Sequence, residues 1–246
     1  MRYETIIEKV RVGSTPGFHR EFEIEVIADF NRAIDDMFAE LQSRGEQDLL
    51  AELCPYFGAV WDSARALSNI LAVKPDAYFR GMGFLEIGCG LAIPSMVALT
   101  RGAARVTATD MHPDVPDFLR RNLKANGLGD HPGFRYQAVD WRRDKDVLLG
   151  GEAGMIDCVL ASDVLYDRGQ ADAVAGFLRE AFARGTAQAI VTDPGRPYLQ
   201  EFVSACARQG LKVVVEIEQV DPVDRRRDVF VLWVDKERIL RPSGSE

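Results

Sequence analysis

Residues 82–110 read MGFLEIGCGLAIPSMVALTRGAARVTATD, and this stretch decides the fold. The apolar runs at 82–88 and 105–110 predict two strands, and the segment between them predicts a helix from Pro94 to Arg101. A strand, a helix and a second strand in this order form a βαβ unit with parallel strands. The same alternation continues along the chain and predicts further strands at 134–140, 155–162, 187–193, 211–219 and 228–235, with helices at 115–126, 171–183 and 198–209.

Only DPVDRR separates the last two predicted strands, which is too short for a crossover helix, so this pair should be an antiparallel hairpin. The sequence therefore predicts an α/β protein with a doubly wound, Rossmann-like sheet of seven strands, the last of them antiparallel. Upstream, YETIIEKVRV and HREFEIEVIA alternate apolar and polar residues around the turn-forming GSTPG, which predicts a separate β-hairpin. Apolar residues at helical spacing then predict helices at 31–43 and 61–73.

The composition excludes several classes of protein. With 47% hydrophobic and 28% charged residues, the chain has the profile of a globular protein. The longest stretch without a charge, Ile87 to Thr100, is too short for a transmembrane helix. The first ten residues, MRYETIIEKV, lack the apolar segment of a signal peptide, so we expect a cytoplasmic protein.

The charge and the cysteine content narrow the expected partners. A net charge of -8 disfavours nucleic acid, because an acidic chain repels a polyanion. The basic run Arg225 to Arg227 is followed by Asp228 and is predicted to be a solvated loop. Four cysteines without a CxxC spacing, together with only three histidines, predict neither a metal site nor a disulfide framework. Cys158 and Cys206 should be small buried hydrophobic residues.

A glycine-containing loop joins the first strand of the βαβ unit to its helix. Gly88 and Gly90 let the backbone approach a ligand, and the helix start offers free N–H groups to an anion, so a nucleotide-type cofactor is indicated. Ile93 stands where a dinucleotide fold needs a third small residue, which disfavours NAD and FAD. The absence of a GxxxxGK[ST] motif excludes a P-loop. A simple turn remains the alternative for this loop.

Acidic and aromatic residues follow the next two strands. Asp110 ends its strand 22 residues after Gly88, where a carboxylate can accept hydrogen bonds from both hydroxyls of a ribose; the alternative is a helix N-cap. Asp140 could accept a hydrogen bond from an adenine amino group, and Trp141 could stack on the ring. A turn at the end of a strand and a core tryptophan explain these two residues equally well.

Taken in order, these segments resemble the class I, seven-strand methyltransferases that use S-adenosylmethionine, and within them the group of small lysine methyltransferases. The likeness covers about Phe57 to Asp235 and is carried by VWDSARAL (60–67), LEIGCGLAIPS (85–95), VTATD (106–110), VDW (139–141) and LASDVLYD (160–167). The resemblance implies strand order 3-2-1-4-5-7-6 and cofactor contacts from Trp61, Glu86, Gly88, Gly90, Asp110, Asp140, Trp141 and Ser162. Ala92 departs from the common glycine-rich loop and should narrow it slightly without closing it.

S-adenosylmethionine fits this loop because it carries no phosphate. Its carboxylate can face the helix start beyond Gly90, while its ammonium and sulfonium groups prefer the acids and carbonyl groups around Glu86 and the end of the fourth strand. Trp61 is expected to line the pocket, with a plain core role as its alternative. The resemblance also divides the chain into an N-terminal extension at 1–56, which is a candidate lid, a methyltransferase domain at 57–240 and a tail at 241–246.

The acceptor should bind at the carboxyl end of the fourth strand, which places Ser162, Asp163 and Tyr166 beside the methyl group. Asp163 could orient an amine and Tyr166 could line the channel, as in the similar DxxY motif; a helix N-cap and a packing residue are the alternatives. TDPGRPYL at 192–199 resembles a segment of the electron-transfer-flavoprotein lysine methyltransferases, although a tight turn explains it as well. We predict N-methylation of a protein lysine, with a small-molecule N-methyltransferase and a non-catalytic cofactor-binding scaffold as alternatives.

Overall fold

The computed structural model describes residues 3–14, 17–150, 154–220 and 227–236. The N-terminal part contains the strands β1 (Thr5–Gly13) and β2 (His19–Ile27) and the helices α1 (Phe30–Arg44), α2 (Leu50–Leu53) and α3 (Asp62–Val73). The rest alternates strands with helices in the order β3 (Gly83–Ile87), α4 (Ile93–Thr100), β4 (Arg105–Asp110), α5 (Val115–Ala125), β5 (Phe134–Ala138), α6 (Lys145–Leu149), β6 (Cys158–Ser162), α7 (Gln170–Ala183), β7 (Gln188–Asp193), α8 (Leu199–Arg208), β8 (Leu211–Val220) and β9 (Arg227–Lys236).

Strands β3 to β9 form one seven-stranded sheet in the order β5-β4-β3-β6-β7-β9-β8. Counted from β3, this is the order 3-2-1-4-5-7-6 that the family resemblance implied. β3 pairs in parallel with β4 and β6, whereas β9 is antiparallel to both β7 and β8. The predicted fold class is therefore confirmed.

The predicted bounds of these elements mostly agree with the structure within two residues. The strand predicted from residue 155 begins only at Cys158, because its ladder with β3 starts at the pair Phe84 and Cys158. The sequence analysis missed α2 and α6, since helices of one turn show no amphipathic period.

The core lies on both faces of the sheet. Successive residues of β3 point to opposite faces, so Phe84 packs in one hydrophobic cluster and Leu85 in the other. The first cluster joins the sheet to α3, α4, α5 and the β1–β2 hairpin, and the second joins it to α6, α7 and α8. Cys158 and Cys206 are fully buried free thiols within these clusters, as predicted. Within the described ranges, no helix combines the length and apolar character that crossing a bilayer requires.

Some predictions concern residues outside the described ranges: the turn DPVDRR, the residues Arg225 and Arg226, and the tail at 241–246. Arg227 is described: it lies in a strand and not in the predicted loop, and its side chain is 63% exposed, as predicted for a solvated residue. This residue begins β9, and its Nη1 donates a hydrogen bond to Oδ2 of Asp62 on α3 at 2.9 Å. Arg227 therefore ties the outer part of the sheet to the start of α3.

The β1–β2 hairpin is part of the core and is held by two asparagines of α5. Asn122 accepts a hydrogen bond from the backbone N–H of Glu25 at 2.7 Å and donates one to its carbonyl at 3.3 Å. One turn later, Asn126 makes the same pair of bonds with the backbone of Glu23, at 3.0 and 2.8 Å. The two amide side chains thus satisfy the outward-facing backbone of β2, as a neighbouring strand would do.

Replacing Asn122 tests this arrangement. Asn122→Ala leaves one buried N–H and one buried carbonyl of β2 without partners, which should lower the free energy of unfolding by about 2 to 4 kcal/mol. Urea denaturation measures the change. Lys124→Ala, at an exposed position of the same helix, is the matched control and should change stability by less than about 0.5 kcal/mol. Equal stability of the two variants would contradict the role given to Asn122.

Candidate active site

A cavity of about 360 Å³ opens at the carboxyl ends of β3, β4, β6 and β7, where parallel sheets bind their ligands. Eight of the ten residues predicted for the site line it, namely Trp61, Gly88, Gly90, Asp110, Trp141, Ser162, Asp163 and Tyr166. Glu86 and Asp140 are not among its lining residues. Of the N-terminal extension at 1–56, the candidate lid, Glu52, Cys54 and Tyr56 line the cavity, whereas no described residue of the hairpin does. The lid role stays a prediction.

The β3–α4 loop owes its shape to three left-handed residues. Gly88, Gly90 and Ala92 have φ values of 62°, 49° and 54°. A Cβ on Gly88 would lie 3.1 Å from Cγ1 of Val164, in addition to the strain of a positive φ. Ala92 bears that strain, which costs roughly 1 kcal/mol for a residue with a side chain. Its methyl group is buried in the loop wall beside the cavity, which stays open, as the sequence analysis expected.

Asp110 fastens this loop to the end of β4. Its Oδ2 accepts a hydrogen bond from the backbone N–H of Gly90 at 2.9 Å, and its Oδ1 accepts one from His112 at 3.0 Å. Burial raises the pKa of Asp110, and these two N–H donors act against the rise. The N-cap alternative is wrong, because α5 begins after Asp114 and takes no side-chain cap. Each carboxylate oxygen keeps a second lone pair for a ligand hydroxyl.

Glu86 braces the same loop from behind. It is fully buried, and its Oε2 accepts hydrogen bonds from the backbone N–H and the hydroxyl of Ser95 in the first turn of α4. Oε1 has no hydrogen-bond partner among the described residues. Burial raises the pKa of Glu86 to about 8, so the group is mostly a neutral acid at pH 7. The predicted contact of Glu86 with the cofactor stays a prediction.

Asp140 is bound by an arginine that the sequence analysis did not consider. Nε of Arg142 donates to Oδ1 of Asp140 at 2.8 Å, and Nη2 donates to Oδ2 at 2.9 Å. Burial alone would raise the pKa of Asp140, but the hydrogen bonds from Arg142 outweigh it and hold the pKa below its usual range. Arg142 itself lines the cavity. The predicted acceptor for an adenine amino group therefore lies behind this guanidinium.

The two tryptophans form aromatic walls. Trp141 is 8% exposed and packs edge-to-face on Phe177, with 5.9 Å between ring centres, so it belongs to both the core and the cavity. Trp61 precedes α3, and its Nε1 donates to the carbonyl of Tyr56 at 2.8 Å. Its ring meets Phe30 edge-on at 5.5 Å. Trp61 thus joins the N-terminal extension to the cavity.

The residues after β6 form the opposite end of the cavity. Asp163 has φ of 59°, a strained value for a residue with a side chain, and its N–H donates to the carbonyl of Thr192 at 2.9 Å. The N-cap alternative is wrong for Asp163, because α7 begins at Gln170 after Gly169. Tyr166 is 49% exposed and stands at the mouth.

Several lining residues were missed by the sequence analysis. Among them are Phe57, Met111, His112, Arg142 and Arg196. Of these five residues, only Arg196 lies in a segment that the sequence analysis singled out, TDPGRPYL. The others follow strands or lie in turns whose direction depends on the folded chain.

Glu86→Gln should change how stability depends on pH. A folded-state pKa near 8, against the ordinary 4.5, means that the folded protein keeps a proton which the unfolded chain loses above about pH 4.5. This contribution to stability is present below pH 4.5 and is lost as the pH rises to 8. Relative to wild type, Glu86→Gln should therefore gain up to about 1.4 kcal/mol for each pH unit between 5 and 8.

Urea denaturation at pH 5, 6, 7 and 8 measures this difference. Glu201→Gln, at an exposed position of α8, is the control and should follow the wild-type curve. A constant difference between Glu86→Gln and wild type at all four pH values would show that Glu86 is charged in the folded protein.

Comparison with known proteins agrees with this geometry. The profile of the family described as lysine methyltransferase matches residues 54–202. The electron transfer flavoprotein beta subunit lysine methyltransferase of Mus musculus is 27% identical over 174 residues, which cover 71% of this chain and 63% of that protein. A protein N-terminal and lysine N-methyltransferase of Cryptococcus neoformans is 29% identical and covers 56% of this chain and 46% of that protein. The chain thus matches less than two thirds of the length of these relatives.

A solved structure shares the fold at lower identity. Magnesium protoporphyrin IX methyltransferase from Synechocystis, solved with bound SAH, is 16% identical, with a TM-score of 0.53 and coverage of 85% of this chain and all of that one. The profile match spans more than half of the chain, including the glycine loop, Asp110 and the residues after β6. The chain belongs to the lysine methyltransferase family.

Proposed function

We propose that this protein transfers a methyl group from S-adenosylmethionine to the side-chain amine of a lysine in another protein. One observation carries the proposal: a single cavity is lined by the Asp110-anchored glycine loop and also by Asp163 and Tyr166. The first group of residues suits a nucleoside and the second suits an amine. Family membership supports the reaction class.

The residues present fit S-adenosylmethionine, which supplies an electrophilic methyl group when it is bound. Asp110 offers its carboxylate to the ribose, and Trp141 and Met111 offer apolar surface to the adenine. At the start of α4, Ile93 is the residue whose backbone N–H can face the carboxylate of the cofactor, because Pro94 has no N–H and the N–H of Ser95 donates to Glu86. A cavity of about 360 Å³ lies within the usual range of ligand sites.

The mouth of the cavity supports a protein acceptor. Tyr56 and Tyr166 stand at it with 48% and 49% exposure, so an extended side chain can reach past them toward Asp163. The net charge of -8 favours a lysine-bearing partner and disfavours nucleic acid. The name of the mouse relative suggests the beta subunit of electron transfer flavoprotein as the first acceptor to test. The cytoplasmic location stays a prediction.

Asp110→Ala should weaken cofactor binding. The change removes the acceptor for the ribose hydroxyls and releases Gly90 from β4, so the Kd for S-adenosylhomocysteine should rise by about 10- to 100-fold, or roughly 1.4 to 2.7 kcal/mol. Isothermal titration calorimetry measures it. Asp117→Asn, in an exposed ion pair on α5, should bind like wild type. Unchanged affinity of a folded Asp110→Ala would disprove the ribose assignment.

Methyl transfer itself tests the proposed function. Purified protein, tritiated S-adenosylmethionine and recombinant electron transfer flavoprotein should give label on a lysine of the beta subunit. Asp163→Asn should lower this rate at least about tenfold, because the amine loses its acceptor, while affinity for S-adenosylhomocysteine stays unchanged. Asp172→Asn, which removes an exposed carboxylate on α7, is the control.

Other sites of label discriminate among the alternatives. Label on other proteins of a lysate would support the proposed reaction class and identify a different substrate. Label only in the small-molecule fraction would favour a metabolite acceptor, and cofactor binding without any transfer would favour a scaffold.

A further inference from the structure

The turn that follows β7 is built around a buried aspartate. Asp193 is fully buried, and its Oδ1 accepts hydrogen bonds from the backbone N–H groups of Gly195 at 2.8 Å and Arg196 at 2.7 Å. Gly195 has φ of 91°, and a Cβ added there would lie 2.9 Å from the ring of Phe230. Glycine alone fits this position, and the turn holds the backbone of Arg196 in one place.

The Arg196 side chain lies between two carboxylates. Its Nε donates to Oδ1 of Asp163 at 2.8 Å, and its Nη2 contacts the same oxygen. Nε also lies 4.0 Å from Oδ2 of Asp193, an atom without a hydrogen-bond partner among the described residues. The Arg196 side chain is 32% exposed, whereas those of Asp163 and Asp193 are 9% and 0% exposed. This is therefore a partly buried cluster in the cavity wall and not a surface ion pair.

The cluster contains two carboxylates and one guanidinium. Burial raises the pKa of both Asp163 and Asp193, and Arg196 acts against the rise in each case. Asp62 on α3 also faces Asp163, but its own carboxylate is bound by Arg227 of β9. The other titratable or charged groups in the described cavity wall are Glu52, Cys54, Tyr56, Cys89, Asp110, His112, Arg142 and Tyr166.

The charge near the acceptor matters because methyl transfer needs a free lone pair on nitrogen. A lysine with a pKa of about 10.4 is neutral in only about one molecule in a thousand at pH 7.4. A carboxylate with no compensating cation stabilises the ammonium form and makes the neutral amine rarer still. A guanidinium bound to that carboxylate cancels much of this effect.

We propose that Arg196 is a positioning residue that offsets the charge of Asp163, so that the acceptor nitrogen lies beside Asp163 as a neutral amine. This inference rests on the proposed function. The acceptor ammonium first gives its proton to water at the open mouth of the cavity. Its lone pair then forms the bond to the methyl carbon, the electron pair of the broken carbon–sulfur bond stays on sulfur, and the positive charge passes to the methylammonium product.

The pH dependence of kcat tests this role, because kcat reports ionisations in the bound complex. The assay measures kcat and KM for recombinant electron transfer flavoprotein between pH 6.5 and 10. In Arg196→Gln, the pH of half-maximal kcat should rise by about 1 to 2 units. The loss of kcat, about 10- to 100-fold at pH 7, should then become smaller as the pH rises to 10. KM for the acceptor at pH 7 should not rise, because the ammonium form binds the uncompensated carboxylates.

Two further variants separate charge from structure. Arg196→Lys keeps the positive charge and should keep the wild-type pH of half-maximal kcat. The double variant Asp163→Asn with Arg196→Gln leaves the pair uncharged, so its kcat should be low but half-maximal near the wild-type pH. Arg208→Gln, at the end of α8, breaks the exposed pair with Asp172 of α7. It is the matched control and should leave both constants unchanged.

Each outcome decides one point. A loss in Arg196→Gln that is equal at every pH, or is accompanied by weaker binding of S-adenosylhomocysteine in calorimetry, would overturn the inference and leave Arg196 a structural role. If the wild type is active and Arg196→Gln has the same pH of half-maximal kcat, this inference is overturned and the proposed function stands. Wild type that labels no acceptor at any pH overturns the proposed function and this inference with it.

Discussion

The attachment of the β3–α4 loop to two buried acidic side chains is the interaction on which the cavity depends. Asp110 holds Gly90 from the end of β4, and Glu86 holds the first turn of α4 through Ser95. In this loop Gly88, Gly90 and Ala92 have positive φ values. This left-handed conformation is rare for a residue with a side chain such as Ala92. The strain persists because the surrounding sheet and helices determine the path of the loop, and the loop lines the cavity as a result.

Arginine–carboxylate pairs then set the charge of the cavity. Arg142 covers Asp140 near the proposed adenine end, and Arg196 covers Asp163 near the proposed acceptor end. Both carboxylates are largely shielded from water, and an unpaired charge in such a buried position is costly. These pairs place a guanidinium beside each of the two acids and so limit the negative field that a ligand meets in the cleft.

The N-terminal hairpin contributes to stability in a way that an appended segment does not. Two asparagines of α5 satisfy the backbone of β2, and Phe22 and Ile24 are fully buried in the cluster that also contains α3 and α4. Trp61 links α3 to the residues that follow the hairpin and lines the cavity as well. A substitution in the N-terminal extension can therefore alter the cavity through Trp61, which contacts the extension and lines the cavity.

The sequence by itself determined the alternation of strands and helices and the antiparallel last strand, because periodicity and turn residues are local properties. The ends of the predicted strands and the family resemblance indicated eight of the residues that line the cavity. The sequence also placed Gly88, Gly90, Asp110 and Asp163 at strand ends, which a parallel sheet gathers at one edge. Only the tertiary structure decided that Glu86 binds Ser95 of α4 and that guanidinium groups bind Asp140 and Asp163. Those outcomes depend on which side chains meet across different strands and on how much water the packing leaves around them, and neither is encoded in local spacing.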